Sequence, residues 1–240
     1  MPEVRTSADM ALPAGWEIWH LMGRNTALSP TEESLWDGAA LYPWATWAAG
    51  PHPCEILGVV ADTNVPVRVT GIAAGAIVTQ TVNTDGAAGN TPVPLPTSLD
   101  RILQVEVLGA TTGLITVRRV AGAVTVATVA TGLGTSRLGV FSVPDNHRGL
   151  LMASDGYLSA TADVEMRIYR RLSGENFRLL TTAPMAAGGA PQVFIGESLG
   201  PVGGLVLPPG SDLDLRAIEV TGVATPRGRA TFSIALIPNS

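Results

Sequence analysis

Short runs in which apolar and polar residues alternate, broken every few residues by glycine or proline, decide what this chain can fold into. Val65, Val67 and Val69 alternate with Pro66, Arg68 and Thr70, and Ile102, Gln104 and Glu106 alternate with Leu103, Val105 and Val107. A period of two places one set of side chains on each face of a strand. No helical period of useful length interrupts these runs, and Gly and Pro supply 27 and 18 of the 240 residues. That punctuation is what many short strands joined by turns require, so the pattern predicts an all-β protein.

The strands fall into blocks. Residues 1–55 hold all five Trp and read as an irregular, aromatic-rich N-terminal arm with one good strand, Trp16–Leu21. Ser29 followed by Pro30, Glu32 and Glu33 predicts a short helical turn, with Ser29 as its cap and the carboxylates near its positive end. Residues 56–131 form a first β domain, in which the proline-rich stretch Asp85–Ser98 is a long excursion that cannot enter a sheet interior. Gly132-Leu133-Gly134 marks a linker, and residues 132–240 supply seven or eight further strands. The expectation is an arm followed by two β-sandwich domains, the C-terminal one jelly-roll-like.

Composition removes several function classes. All 15 basic residues are Arg, so chemistry that needs a lysine ammonium is absent. A net charge of -5 offers no basic field for a phosphate backbone, and nucleic acid is not expected as a partner. Cys54 is the single cysteine, so neither an intrachain disulfide nor a thiolate metal cage is available. No signal-peptide pattern and no apolar run of spanning length occurs, so no membrane partner is expected and assembly in a reducing cytoplasm fits.

Motifs that carry chemistry elsewhere fail their context here. Gly196-Glu197-Ser198-Leu199-Gly200 matches the nucleophile elbow, yet Pro201-Val202-Gly203-Gly204 cannot open the helix that must follow. Asp145 and His147 read as the tip of the turn Pro144-Asp145-Asn146-His147. His20, His52 and His147 have no metal-ligand spacing. Asp212 and Asp214 share a strand face without enough oxygens nearby for Ca²⁺. Glu165 with Arg167, and Asp214 with Arg216, read as charge pairs along a strand. No catalytic residue, metal or cofactor is expected, and the chain is read as a non-enzyme.

One segment stands apart: Trp36, Tyr42, Trp44 and Trp47 lie within twelve residues of a chain with 5% aromatics. Each such ring can bury 150 to 250 Å². A sugar-stacking platform, an intersubunit or partner contact, and internal packing all fit the residues, and contact with a partner or another subunit is the reading taken forward.

The stretches His20–Asn25, Glu33–Gly38 and Leu41–Trp44, with Met166–Arg171, Phe177-Arg178 and Leu207–Ala217, resemble tailed-bacteriophage virion structural proteins. The best fit is to capsid-decorating, or cement, proteins, with head-fibre, vertex and tail-fibre components as neighbours, some of which bind host-surface glycans. Between residues 62 and 98 the chain departs from that pattern, being shortened and proline-rich. The resemblance implies a capsid-exterior location, the major capsid protein as partner, and self-association as a trimer.

Overall fold

A computed structural model describes residues 4–6, 13–38, 40–47, 50–159, 163–186, 192–195, 205–221 and 226–239. The described strands are, in the first third of the chain, β1 (Val4–Thr6), β2 (Glu17–Asn25), β3 (Glu33–Ser34), β4 (Cys54–Leu57), β5 (Pro66–Ala73) and β6 (Ala76–Asn83). Then follow β7 (Val93–Pro94), β8 (Arg101–Val107), β9 (Ile115–Arg119), β10 (Thr125–Val129), β11 (Val140–Ser142) and β12 (His147–Ser159). The last are β13 (Asp163–Arg171), β14 (Arg178–Met185), β15 (Gln192–Ile195), β16 (Leu205–Leu207), β17 (Asp212–Thr221) and β18 (Arg227–Pro238). Trp44–Trp47 and Ala121–Ala123 are 3-10 turns. The protein is all-β, in small antiparallel sheets.

The chain divides into two units, and the division differs from the expected arm and two successive domains. Unit 1 runs from Tyr42 to Leu138; unit 2 combines residues 2–41 with residues 139–240. The expected arm is split: up to Leu41 it belongs to unit 2, where β2 pairs with β18 from Asn25↔Gly228 to Glu17↔Leu236, and from Tyr42 on it belongs to unit 1. The strand foreseen at Trp16–Leu21 thus continues to Asn25 and lies between β1 and β18. The glycines at 132 and 134 do not mark the boundary either. The chain at Gly134–Ser136 is stitched to β8, with Val107 N donating to Gly134 O at 2.9 Å and Ser136 N to Val105 O at 2.8 Å.

Unit 1 holds two sheets, ordered β10-β9-β4-β7 and β6-β5-β8. The excursion at 85–98 contributes only the two-residue edge strand β7, where Pro94 lacks no needed ladder donor. Val67, Val69, Val105, Ile115 and Val117 fill the core by the alternation that the sequence shows.

Unit 2 also holds two sheets, one ordered β1-β2-β18-β12-β15 with β16 on β12, the other β11-β17-β13-β14 with β3 on β17. Their inner faces meet: Trp19 of the first lies 5.8 Å, ring to ring, from Phe141 of the second. Leu35, Ser154, Met166, Ile168, Leu215 and Ala230 converge on one interior space. Glycine is needed where the backbones come closest, since a Cβ on Gly23 would lie 2.6 Å from Gly139 Cα and 2.5 Å from Leu35 O. Three backbone bonds close a ring there: Leu35 N to Leu215 O at 2.8 Å, Gly139 N to Leu35 O at 2.7 Å and Leu215 N to Gly139 O at 2.8 Å. At this knot β17 exchanges its neighbour from β11 to β3.

No helical turn forms at Ser29. Its Oγ accepts from Thr31 N at 3.2 Å and donates to Glu33 Oε1 at 3.0 Å, a local turn that competes with helix.

Candidate functional site

The four aromatic residues singled out as a contact surface are buried within the chain. Trp36, in unit 2, donates Nε1–H to Ala40 O at 3.2 Å. Its indole lies over Gly38, where a Cβ would fall 2.2 Å from the ring. Tyr42, Trp44 and Trp47 are buried in unit 1, the first two meeting edge to face at 4.9 Å. Residues three apart eclipse in a 3-10 turn, so Trp44 and Trp47 point the same way. Thr46 closes that turn on Pro43 O, from its N at 3.0 Å and its Oγ1 at 2.7 Å. Arg101 sits 5.9 Å from the Trp44 ring, and its Nη1 donates to Trp47 O at 3.2 Å. Rings of this size with neighbours already in place serve internal packing, which corrects the contact-arm expectation.

The polar face of the second sheet of unit 2 carries the most organised set of charges. On β13, Val164, Met166 and Ile168 point to the core, which leaves Glu165, Arg167 and Tyr169 on the other face. On β17, Leu213, Leu215 and Ala217 go inward, and Asp212, Asp214 and Arg216 share the face with the β13 set. The pairs read from alternation form: Arg167 Nε to Glu165 Oε1 at 2.6 Å and Arg216 Nε to Asp214 Oδ2 at 2.8 Å. Glu32, just before β3, joins them. It accepts from Arg167 Nη1 at 2.8 Å, Arg216 Nη1 at 2.9 Å and the Tyr169 hydroxyl at 2.8 Å.

Burial alone would push the Glu32 carboxyl up, but the hydrogen bonds from Arg167, Arg216 and Tyr169 outweigh it and hold it below the usual range. The Glu32 and Glu165 carboxylates in turn push the Arg167 guanidinium up. Arg216 stacks 4.2 Å from the Tyr169 ring and 5.1 Å from Phe177, and Arg171 lies 4.7 Å from Phe177. Arg171 Nε also donates to Asp212 Oδ2 at 3.0 Å, and Ser142 donates to the other Asp212 oxygen. Acids and guanidiniums here answer one another, so the arrangement fixes the 29–34 segment on β13 and β17. The sequence assigns Glu32 to a helical turn and hides this role, because Glu32 lies 135 and 184 positions from its arginines.

The other candidates are dispersed. Among the described residues no group of three His, Cys, Asp or Glu side chains could hold a metal. His147 caps its turn, its N donating to Pro144 O at 3.1 Å. His20 Nδ1 lies 2.8 Å from Ser233 Oγ, and His52 lies in unit 1. Ser198 and the rest of 196–200 lie outside the described residues.

Unit 1 has an exposed feature that no motif announced. The Asp62 carboxylate accepts from Thr112 N at 2.6 Å, Thr112 Oγ1 at 2.8 Å and Gly113 N at 3.1 Å. Gly58 N donates to Gly89 O at 2.7 Å and Gly89 N to Val60 O at 3.1 Å, so three loops are tied together. Burial would raise the Asp62 carboxyl, but these amide and hydroxyl donors hold it low. On this tip Val59 and Leu114 are exposed, and Val60 keeps 63% of its surface in water. Gly113, between Thr112 and Leu114, lies against Val59.

No protein family matches the chain, and no curated protein sequence matches it. Among solved structures, that of infectious bursal disease virus Gt strain is similar over 98% of this chain and 73% of that one, at 8% identity and a TM-score of 0.24. The infectious bursal disease virus VP2 subviral particle covers 91% of this chain and 71% of its own, at 10% identity and a TM-score of 0.23. These are weak likenesses to viral capsid proteins, and at such scores they establish no shared fold.

Proposed function

We propose that this chain is a non-enzymatic virion component that decorates the exterior of a tailed-phage head and reinforces the joints between major capsid proteins. The observation that carries the reading is the way unit 2 is closed. Its first long strand, β2, and its last, β18, are zipped antiparallel, and Glu32 ties the segment before β3 to β13 and β17. Force pulling the two strands apart lengthwise loads many ladder bonds at once, the behaviour a cement protein needs. The resemblance at 20–25, 33–44, 166–178 and 207–217 supports the same reading. The facing sheets of unit 2 fit a jelly-roll-like sandwich, and the two sheets of unit 1 a smaller one.

With the aromatic quartet in the interior, contact with the capsid is assigned to the unit 1 tip at Val59, Val60 and Leu114. That tip is apolar, and its Asp62 is turned inward and fully engaged. The chain acts as a homo-oligomer, a trimer by the resemblance, on the outside of a particle assembled in the bacterial cytoplasm. Quantitative mass spectrometry of purified virions is expected to find hundreds of copies, comparable with the major capsid protein, and Val60→Asp to lower that number. A few to a few dozen copies would move the protein to a vertex, head-fibre or tail position, and undiminished occupancy of Val60→Asp would remove the tip from the contact.

A further inference from the structure

Where the chain enters unit 1, a histidine is held among arginines. His52 N donates to Leu99 O at 2.8 Å and Leu99 N to His52 O at 3.0 Å, so an antiparallel bridge fixes its backbone. Its imidazole lies 6.0 Å, ring to ring, from Trp47 at the end of the 3-10 turn. Two guanidiniums collect the carbonyls at that end: Arg119 donates to Thr46 O and Arg101 to Trp47 O. Carbonyls leaving a helical turn have no partner of their own, and cations there are favourable. Three nitrogens of this cluster, Trp47 Nε1, His52 Nε2 and Arg119 Nε, are shielded from water and have no hydrogen-bond partner among the described residues.

The ionisable groups facing His52 are Arg119 at the end of β9, Arg101 and Asp100 at the start of β8, and the Cys54 thiol on β4, whose Sγ lies 3.5 Å from His52 O. Asp100 is the single carboxylate of the set, and its Oδ2 already accepts from Ala74 N at 2.9 Å. Burial first, and then the charges of Arg119 and Arg101, hold the imidazole below its usual pKa, against the pull of Asp100. At neutral pH the ring is therefore uncharged. A proton on it creates a third cation beside two guanidiniums, at a point where His52 Nε2 and Arg119 Nε are themselves shielded from water.

We propose that His52 is a proton-operated latch: uncharged, it lets the Trp44–Trp47 turn lie on Arg101 and Arg119; protonated, it drives the turn off β8 and β9. The sign follows from the direction of the shift. The released state binds the proton more readily, so the closed state is fully favoured above the ordinary histidine value of about 6.5 and loses ground as the pH falls below it. The cue to which the latch responds is mild acidification, of the order met between pH 7 and 5.

The test uses the full chain. Carbon-13 labelling of the three histidines and an NMR titration from pH 8 to 5 should give His52 a midpoint below the ordinary value; a midpoint at or above it overturns the latch. Hydrogen exchange read by mass spectrometry, corrected for the intrinsic pH dependence, should show the Trp44–Trp47 segment losing at least tenfold protection between pH 7.5 and 5.5. Strands of unit 2 serve as the internal reference and should hold. In His52→Gln the segment should keep one level of protection across that range. Equal loss in the variant, or none in the wild type, overturns the proposal. Should His52→Gln misfold, His52→Asn takes its place, and the wild-type titration decides independently.

Discussion

At the scale of single residues, Glu32 is the side chain on which most depends. Three donors converge on its two oxygens, and a hydrogen bond to a charged group contributes about 1.5–3 kcal/mol. Glu32→Gln keeps the shape and removes the charge that holds Arg167 and Arg216. Urea denaturation at pH 7 is expected to show a loss of about 2 kcal/mol. Because the carboxyl is held low in the folded state, its contribution is present above its unfolded pKa and fades as the pH falls through the folded one. The gap between wild type and Glu32→Gln should therefore close below the usual carboxylate range, and a gap that persists there would mean the loss is steric. This residue also shows where sequence reading stops. Glu165 with Arg167 and Asp214 with Arg216 are legible because a period of two fixes which side chains share a face. Glu32 carries no such mark, since its partners are brought to it by pairing between distant strands.

Among elements, strands were legible and their neighbours were not. Alternation at 65–70 and 101–107 gives β5 and β8 their inner faces, but nothing in that alternation states that β8 lies beside β5 or that Gly134–Ser136 closes its other edge. The aromatic segment misled for a related reason: concentrated apolar area says that burial will occur, not whose surface does the burying. At the β2 crossing the structure makes a sharp demand. Gly23→Ala would place a Cβ within 2.6 Å of Gly139 Cα, a backbone atom that no rotamer change can move. Thermal unfolding of this variant is expected to show a loss of about 2–3 kcal/mol, the upper part of the range for overpacking. A variant as stable as the wild type would mean that the two strands have room the structure does not show.

For the whole molecule, the consequence lies in the order of synthesis. Unit 1 is an insertion within unit 2, a compact unit of consecutive residues from Tyr42 to Leu138. Unit 2 opens with residues that cannot find their main partner until β18 is made, some 200 positions later. Loop closure over such a separation is slow, and domains complete in sequence fold first as the chain emerges. A chain ending at residue 226, before β18, should give a protease-resistant fragment spanning 42–138 while its flanks are digested; a digest that spares β2 and β12 equally would refute this. The ribosome thus delivers a folded insert bracketed by two unpaired flanks, and the nascent protein carries an exposed β2 edge for the whole interval. Crowded polysomes translating this message would bring such edges together, so the same zipper that fastens the finished protein is, during its manufacture, an opening through which neighbouring chains can trade strands.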